Sequence, residues 1–281
     1  MILTIYQNAV DFLSETQPVF EKNEAANNLM LGICFRLRQF PENIDTAPYL
    51  ATVTNAQGII FIAVLSKPQR LIVYSDQLEC REAMELIIRD LLAKGRIISR
   101  VLGPSRVAET FAATWARIAG ALHKPGMGMR IYELGKVIPP QTSRGALRLA
   151  AEADLELVAR WILAFENEAL NGGEIAEARE TAKAKIAAGD IYIWEDLQPV
   201  AMAAKTRPTT NGICINLVYT PPELRGRGHA SACVAALSQR LLDSGYKFCC
   251  LFTDRSNLTS NHIYQSIGYT PVADFNEFVF D

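Results

Sequence analysis

The chain has 281 residues, 49% of them hydrophobic, with 28 basic and 30 acidic residues and a formal net charge of −2. That length favours two modest domains, each long enough to bury its own core. A near-neutral chain offers no basic field for nucleic acid or an anionic membrane, and its apolar runs are too short to span a bilayer.

The start, Met1 to Leu13, carries Gln7, Asn8 and Asp11 and no basic residue. It lacks the charged start and long apolar run of a signal peptide, so a cytoplasmic protein is expected. Helical segments are predicted around Tyr6 to Leu13 and Glu24 to Leu37. Strands follow at Tyr49 to Thr54, Ile59 to Leu65 and Arg70 to Tyr74. A helix over Arg81 to Lys94, a strand over Ile98 to Leu102, a helix over Ser105 to Ile118 and a strand over Met129 to Val137 complete the first part. Pro139-Pro140-Gln141-Thr142-Ser143-Arg144-Gly145 is polar and rich in Pro and Gly, as a linker should be. The expected division is therefore 1–138, a linker at 139–145, and 146–281.

The second part reads more sharply. Leu147 to Leu149 is a short strand. Glu152 to Asn167 is a helix with Leu155, Val158, Ala159, Ile162 and Phe165 at helical spacing, and Ile175 to Ala188 is a second helix. Ile191 to Trp194, Val200 to Lys205 and Ile213 to Thr220 read as strands, the last with Ile213, Ile215, Leu217 and Tyr219 on one face. His229 to Ser244 is a helix. Phe248 to Thr253 is a continuous apolar run, as a parallel strand covered on both faces requires. A short helix over Leu258 to Ile267 and strands at Tyr269 to Val272 and Glu277 to Phe280 finish the chain. The order β-α-α-β-β-β-α-β-α-β-β is echoed in the first part, which suggests an internal duplication.

Between the strand ending at Thr220 and the helix at His229 lies Pro221-Pro222-Glu223-Leu224-Arg225-Gly226-Arg227-Gly228. Such a turn aims backbone N–H groups at one spot and adds the positive end of a helix dipole and two guanidinium groups. That combination is an anion site for a phosphate or pyrophosphate. No Gly-Lys-Ser/Thr ending follows, so it is not a nucleotide P-loop. The corresponding stretch of the first part, Tyr74 to Arg81, has neither glycine nor an arginine turn.

The six cysteines sit mostly in apolar runs, a reduced pattern rather than a disulfide framework, and Cys249 and Cys250 are expected to be inert. With three histidines and no paired spacing, no metal site is expected.

The segment Arg225-Gly226-Arg227-Gly228-His229-Ala230 resembles the Arg/Gln-x-x-Gly-x-Gly/Ala hallmark of the GNAT N-acetyltransferase superfamily. Asn257, Asn261, Tyr264 and Gly268-Tyr269 resemble its second characteristic segment. The resemblance covers roughly residues 146–281, and residues 1–138 resemble a degenerate GNAT-like half, as in tandem members. It implies an α/β fold with a mixed sheet, and transfer of an acetyl group from acetyl-CoA to a primary amine, with no metal. The acceptor would be a small-molecule or peptide amine, and the protein a monomer or homodimer without nucleic-acid or membrane partners.

The resemblance also implies roles. The amides of Gly226, Arg227, Gly228, His229 and Ala230 would hold the coenzyme A pyrophosphate. Arg225 would shape the turn, and Arg227 either meets a phosphate or stays solvated. Main-chain groups of Val218 and Thr220 would pair with pantetheine beside a bulged strand. The Val218 N–H would polarise the thioester carbonyl. Asn257 and Asn261 would face the cofactor, Asn257 equally serving as a helix cap. Tyr264 would protonate the departing thiolate. A phenol titrates near ~10 and a thiol near ~8.5, so no large shift is required. The general base stays unassigned among Glu166, Glu195, Asn216, Tyr219 and water. The rival readings are a non-catalytic coenzyme A sensor or scaffold, a protein whose turn is only a capped loop, and a transferase of longer acyl groups.

Overall fold

The apolar periodicity is realised as a mixed α/β protein. A computed structural model describes residues 1–41, 47–67, 69–77, 79–140, 144–169 and 172–281, so Gln141–Ser143 of the expected linker lie outside the described residues. By its internal contacts the chain falls into two units. The first is Met1–Ile131 with Thr253–Ser256 and Val272–Asp281, and the second is Tyr132–Phe252 with Asn257–Pro271.

The first unit carries β1 (Ile2–Tyr6), α1 (Ala9–Glu21), α2 (Asn28–Gln39), β2 (Tyr49–Asn55), β3 (Gly58–Lys67), β4 (Gln69–Tyr74), α3 (Arg81–Ala93), β5 (Ile98–Pro104), α4 (Ser105–Ala119) and most of β6 (His123–Leu134). Strands β1 to β4 pair in sequence as antiparallel neighbours, and β4 pairs β5 in parallel. One sheet face packs Leu50, Ile62, Val64 and Ile72 against Phe12, Leu13 and Phe20 of α1 and Met30 and Leu31 of α2. The other packs Val53, Phe61 and Val73 against Ile87 of α3 and Phe111 and Trp115 of α4. The expected helix at Tyr6 to Leu13 is corrected. Ile2–Tyr6 is a strand alternating against Leu50–Thr54, and the helix starts after Asn8, whose side chain accepts from the Asp11 N–H at 2.9 Å.

The second unit carries the rest of β6, then β7 (Ala146–Leu149), α5 (Leu155–Ala169), α6 (Ile175–Ala187), β8 (Ile191–Asp196), β9 (Gln198–Thr206), β10 (Gly212–Tyr219), α7 (His229–Asp243), β11 (Phe248–Asp254), α8 (Leu258–Ser266) and the start of β12 (Thr270–Phe280). Strands β7 to β10 are antiparallel neighbours, and β10 pairs β11 in parallel. Helices α5 and α6 cover one face through Val158, Ile162, Ala178 and Ala182, and α7 and α8 cover the other through Val234, Leu237 and Tyr264.

The linear cut at 139–145 does not follow the contacts. Residues 272–281 group with the first unit. There Phe275–Val279 pairs antiparallel with Arg100–Pro104, and Phe278 and Phe280 join the core around Trp115. Buried Glu277 anchors the strand by meeting Arg70 at 2.6 Å and Arg100 at 3.3 Å. The two strands expected at the C-terminus are consequently one, since Asp274 in their midst is held by Arg130 at 2.7 Å. Among the described residues no helix is long and apolar enough to cross a membrane.

Candidate functional site

The site grows from an irregularity in β10. Asn216 pairs with Ala204 and Tyr219 with Met202, so Leu217 and Val218 together face the single residue Ala203. This is a β-bulge, with Leu217 held at φ 49°. The extra residue changes which side chain points where. Ile213 and Ile215 pack with the α7 side, whereas Leu217 and Tyr219 pack with the α5 and α6 side, so the single-face expectation for these four is corrected. Parallel pairing with β11 runs from Gly212–Phe248 to Ile215–Leu251 and goes no further, although β10 continues to Tyr219. The two strands thus form a fork beside Val218.

The turn beyond the fork is built for close approach. Pro222–Leu224 makes a single 3-10 turn, Arg225 is extended, and Gly226 and Gly228 take φ of 76° and 79°. That left-handed region favours glycine. A Cβ on Gly226 would meet nothing within 4 Å, so open space lies beside the turn. Helix α7 starts with no side-chain cap, leaving its first amides for another partner. Three buried polar atoms of this region have no partner among the described residues: Asn216 Oδ1, Thr220 Oγ1 and His229 Nδ1. Buried polar atoms are normally satisfied, so these three stand out as hydrogen-bonding capacity that the protein's own groups do not use.

The two arginines differ. Arg225 donates through Nε to the Thr220 carbonyl at 2.9 Å and through Nη2 to both carboxylate oxygens of Glu168 at 2.8 and 2.7 Å, and its guanidinium lies 5.7 Å from the Tyr219 ring centre. It ties the turn back to α5. The Thr220 carbonyl thereby accepts one hydrogen bond within the turn. Arg227 is exposed and makes no hydrogen bond or ion pair among the described residues.

Helix α8 supplies the second segment. Asn257 caps it, its side chain accepting from the Ser260 N–H at 3.0 Å. Asn261 donates to the Asn257 carbonyl at 2.7 Å and accepts from the Tyr132 hydroxyl at 2.8 Å. Both side chains therefore serve the helix and its seat. Tyr264 is buried, its ring centre 6.3 Å from Tyr132 and 6.1 Å from Tyr269. Burial, with a smaller contribution from Cys214, pushes its phenol well above the ordinary tyrosine value.

Of the carboxylates weighed as bases, Glu195 is bonded to Arg148, which also grips Asp154 at 2.7 Å. Glu166, near the end of α5, has its pKa raised by burial and by Glu177. Tyr219 packs on Trp161 at 6.2 Å, and burial raises its phenol too. No sequence signal marked Glu168 as the partner that holds Arg225. Among the described residues no group of His, Cys, Asp and Glu is placed to hold a metal ion.

Residues 193–279 match the family model of FR47-like proteins. A search of curated proteins found no match. Among solved structures, an acetyltransferase of the GNAT family from Colwellia psychrerythraea matches with TM-score 0.62 at 11% identity, covering 100% of both chains. A GCN5-related N-acetyltransferase from Sphaerobacter thermophilus gives TM-score 0.65 at 14% identity, over 99% of this chain and 94% of that one. A tandem GNAT protein from the clavulanic acid biosynthesis pathway gives TM-score 0.62 at 13% identity, over 100% of this chain and 98% of that one. Over its whole length the chain shares the fold of these GNAT structures, and the family-model match is confined to residues 193–279.

Proposed function

We propose that the chain moves an acetyl group from acetyl-CoA to the primary amine of a small molecule or peptide, by direct attack in a ternary complex. The observation that carries this reading is the β10–β11 fork, where a bulge, an uncapped helix start and three unpartnered buried polar atoms converge. The residues fit the ligand. The amides from Gly226 to Ala230 suit the pyrophosphate, and Arg227 is free to meet a phosphate. Arg225 holds the turn rather than the ligand. The main chain at Leu217 and Val218 suits an extended pantetheine arm.

In the reaction the amine nitrogen bonds to the thioester carbonyl carbon and the carbon–sulfur bond breaks. The Val218 N–H polarises the carbonyl oxygen. Tyr264 stays protonated at neutral pH and donates to the sulfur as it gains charge in a desolvated place. Glu166 is better suited than Glu195 to take the amine proton, because a raised pKa makes it the stronger base and no arginine holds it.

Calorimetric titration with acetyl-CoA tests the reading. A Gly226→Glu variant strains a positive-φ position and sets a carboxylate where phosphate should lie. It should bind at least about 100-fold more weakly, or about 2.7 kcal/mol. Absence of binding by the unmodified chain, or equal binding by a folded variant, overturns it.

A further inference from the structure

Two residues below the bulge, β10 and β11 bring a pair of cysteines together. Cys214 and Cys250 stand directly opposite each other in the parallel register, one step before the last pair of the fork. Neighbouring strands lie about 4.8 Å apart, inside the roughly 4.4–6.8 Å range of Cα separations that a disulfide spans. Both side chains are fully buried. A buried cysteine in apolar surroundings is normally an inert thiol. Here a guanidinium is aimed at it: Arg207 Nη2 lies 2.9 Å from Cys214 Sγ. Arg207 adopts φ 45°, unusual for a residue with a side chain, and its guanidinium rests 5.2 Å from the Phe252 ring centre. The backbone thus accepts a disfavoured conformation, and the ring steadies a cation at a sulfur. Burial alone would raise the Cys214 thiol. The hydrogen bond from Cys250 and the charge of Arg207, helped by Lys185, outweigh it and leave the thiol lowered, while Cys250 is raised. The contrast with Cys34 and Cys233 is direct, since burial pushes each of those up to about 12. Cys250 itself is buried and raised, as the expectation of an inert thiol has it, and what sets it apart is the sulfur opposite it.

We propose that Cys214 and Cys250 are an oxidant-responsive thiol pair that closes to a disulfide under peroxide, clamping β10 to β11 at the base of the fork. The Cys214 thiolate attacks one peroxide oxygen. The oxygen–oxygen bond breaks, hydroxide leaves and takes up a proton to become water, and Cys214 becomes a sulfenic acid. The Cys250 sulfur then attacks the Cys214 sulfur. The sulfur–oxygen bond breaks, and the hydroxyl leaves as a second water with the Cys250 proton. Each sulfur loses one electron and the peroxide gains two. The pair reacts whatever the protein's activity. Its effect on the cleft rests on the acyl-transfer reading, because a cross-link at this point restricts how far the strands spread around the thioester.

The test uses the full chain, reduced, desalted and exposed to graded hydrogen peroxide, then unfolded in an alkylating agent and read by peptide mass spectrometry without reductant. The expected product joins Cys214 to Cys250 and is lighter by the two thiol hydrogens, while Cys34 and Cys233 remain alkylated. Cys250→Ser should stop the sequence at a Cys214 sulfenic acid that a dimedone probe captures. Arg207→Gln should slow oxidation about tenfold or more by removing the thiolate's partner. Cys214 remaining reduced at peroxide levels that oxidise glutathione in the same tube, or cross-linking through Cys249 instead, overturns the proposal. An unchanged rate in a folded Arg207→Gln protein overturns the role of the arginine. Acetyl-CoA titration before and after oxidation reads the clamp separately. Weakened binding restored by dithiothreitol supports it, and equal binding by both forms refutes it. No binding by either form sinks the acyl-transfer reading and leaves the disulfide assignment standing on its mass.

Discussion

The two units share one plan and differ at one junction. The order β1-α1-α2-β2-β3-β4-α3-β5-α4-β6 recurs element for element as β7-α5-α6-β8-β9-β10-α7-β11-α8-β12. The pairing recurs as well, three antiparallel steps and then a parallel one. In the first unit the fourth strand stays paired near its end: Ile72 meets Leu102 on one side and Tyr74 meets Ile62 on the other. Gly103 sits so close to Val73 that a Cβ there would lie 2.6 Å from the Val73 carbonyl oxygen. That fork is shut. In the second unit pairing with the fifth strand ends at Ile215, four residues before the strand does, and a bulge turns the rest aside. The helix after the first fork starts at Arg81 without a glycine turn, and the helix after the second starts at His229, preceded by Gly228 in the left-handed region. One topology therefore supports both a fully paired junction and a parted one, and the difference is about one inserted strand residue and two glycines.

Removing that residue is the sharpest way to break the contrast. Deletion of Leu217 leaves Val218 and Tyr219 on the faces they already occupy and restores regular alternation. The fork of the second unit should then shut like that of the first. With the best acceptor found, release of free thiol from acetyl-CoA should fall about 10²–10³-fold, the scale for losing one positioned oxyanion donor. A folded deletion variant that turns over within a few-fold of the parent would separate the bulge from the chemistry. Tyr264→Phe asks a narrower question. It should lower kcat about 100-fold, at the small end for a general acid, while calorimetric affinity for acetyl-CoA stays within about twofold. Unchanged kcat would favour a tyrosine that only fills the core beside Tyr132 and Tyr269, and with it a protein that binds coenzyme A without needing this acid.

The sequence carried the helices and strands of the second unit because their apolar spacing is regular and glycines or prolines punctuate them. It carried less at three places, each for a physical reason. Ile2–Tyr6 alternates for only five residues before a helix, so the two patterns merge unless Asn8 is read as a cap. Asp274 and Asn276 interrupt the apolar pattern of β12, and the continuity of that strand depends on Arg130 and Arg255, far away in sequence. The bulge at Leu217 is a backbone event, invisible in side-chain type, and it reverses the faces of the residues after it. The turn itself was legible, since two glycines that both take positive φ stand between a strand and a helix. The division of labour between its arginines was not, because it depends on Glu168 at the end of another element. The pairing of Arg207 with Cys214 was equally hidden, since it depends on one positive φ.

The entrance to each unit supplies the smallest contrast and a sign that can be checked. Helix α1 follows a neutral cap, Asn8, whereas the turn before α5 is closed by a carboxylate, Asp154, reaching back from its third residue. There the Ala151 N–H donates to Asp154 Oδ2 at 2.8 Å, and Arg148 holds both Asp154 oxygens at 2.7 and 3.0 Å. Hydrogen bonding from Arg148, aided by the Ala151 amide and opposed by burial, lowers the Asp154 carboxyl below its ordinary value. A depressed folded-state pKa contributes stability that is complete above the unfolded-state value near ~3.9 and is lost as pH falls through the folded one. Asn8 carries no charge of its own, and its amide donates to Asp11 Oδ2 at 2.9 Å with no arginine in the pair. Amide protection factors around Ala151 to Leu155, with the intrinsic rate divided out, should therefore fall on acidification through that window, while those around Asn8 to Phe12 hold steady. The loss should amount to about 1 kcal/mol, the scale of a partly exposed ion pair. Asp154→Asn should remove the pH dependence and leave the second entrance behaving like the first. If both entrances loosen together in the parent chain, acid is opening the units as wholes, and the charged cap is not what distinguishes them.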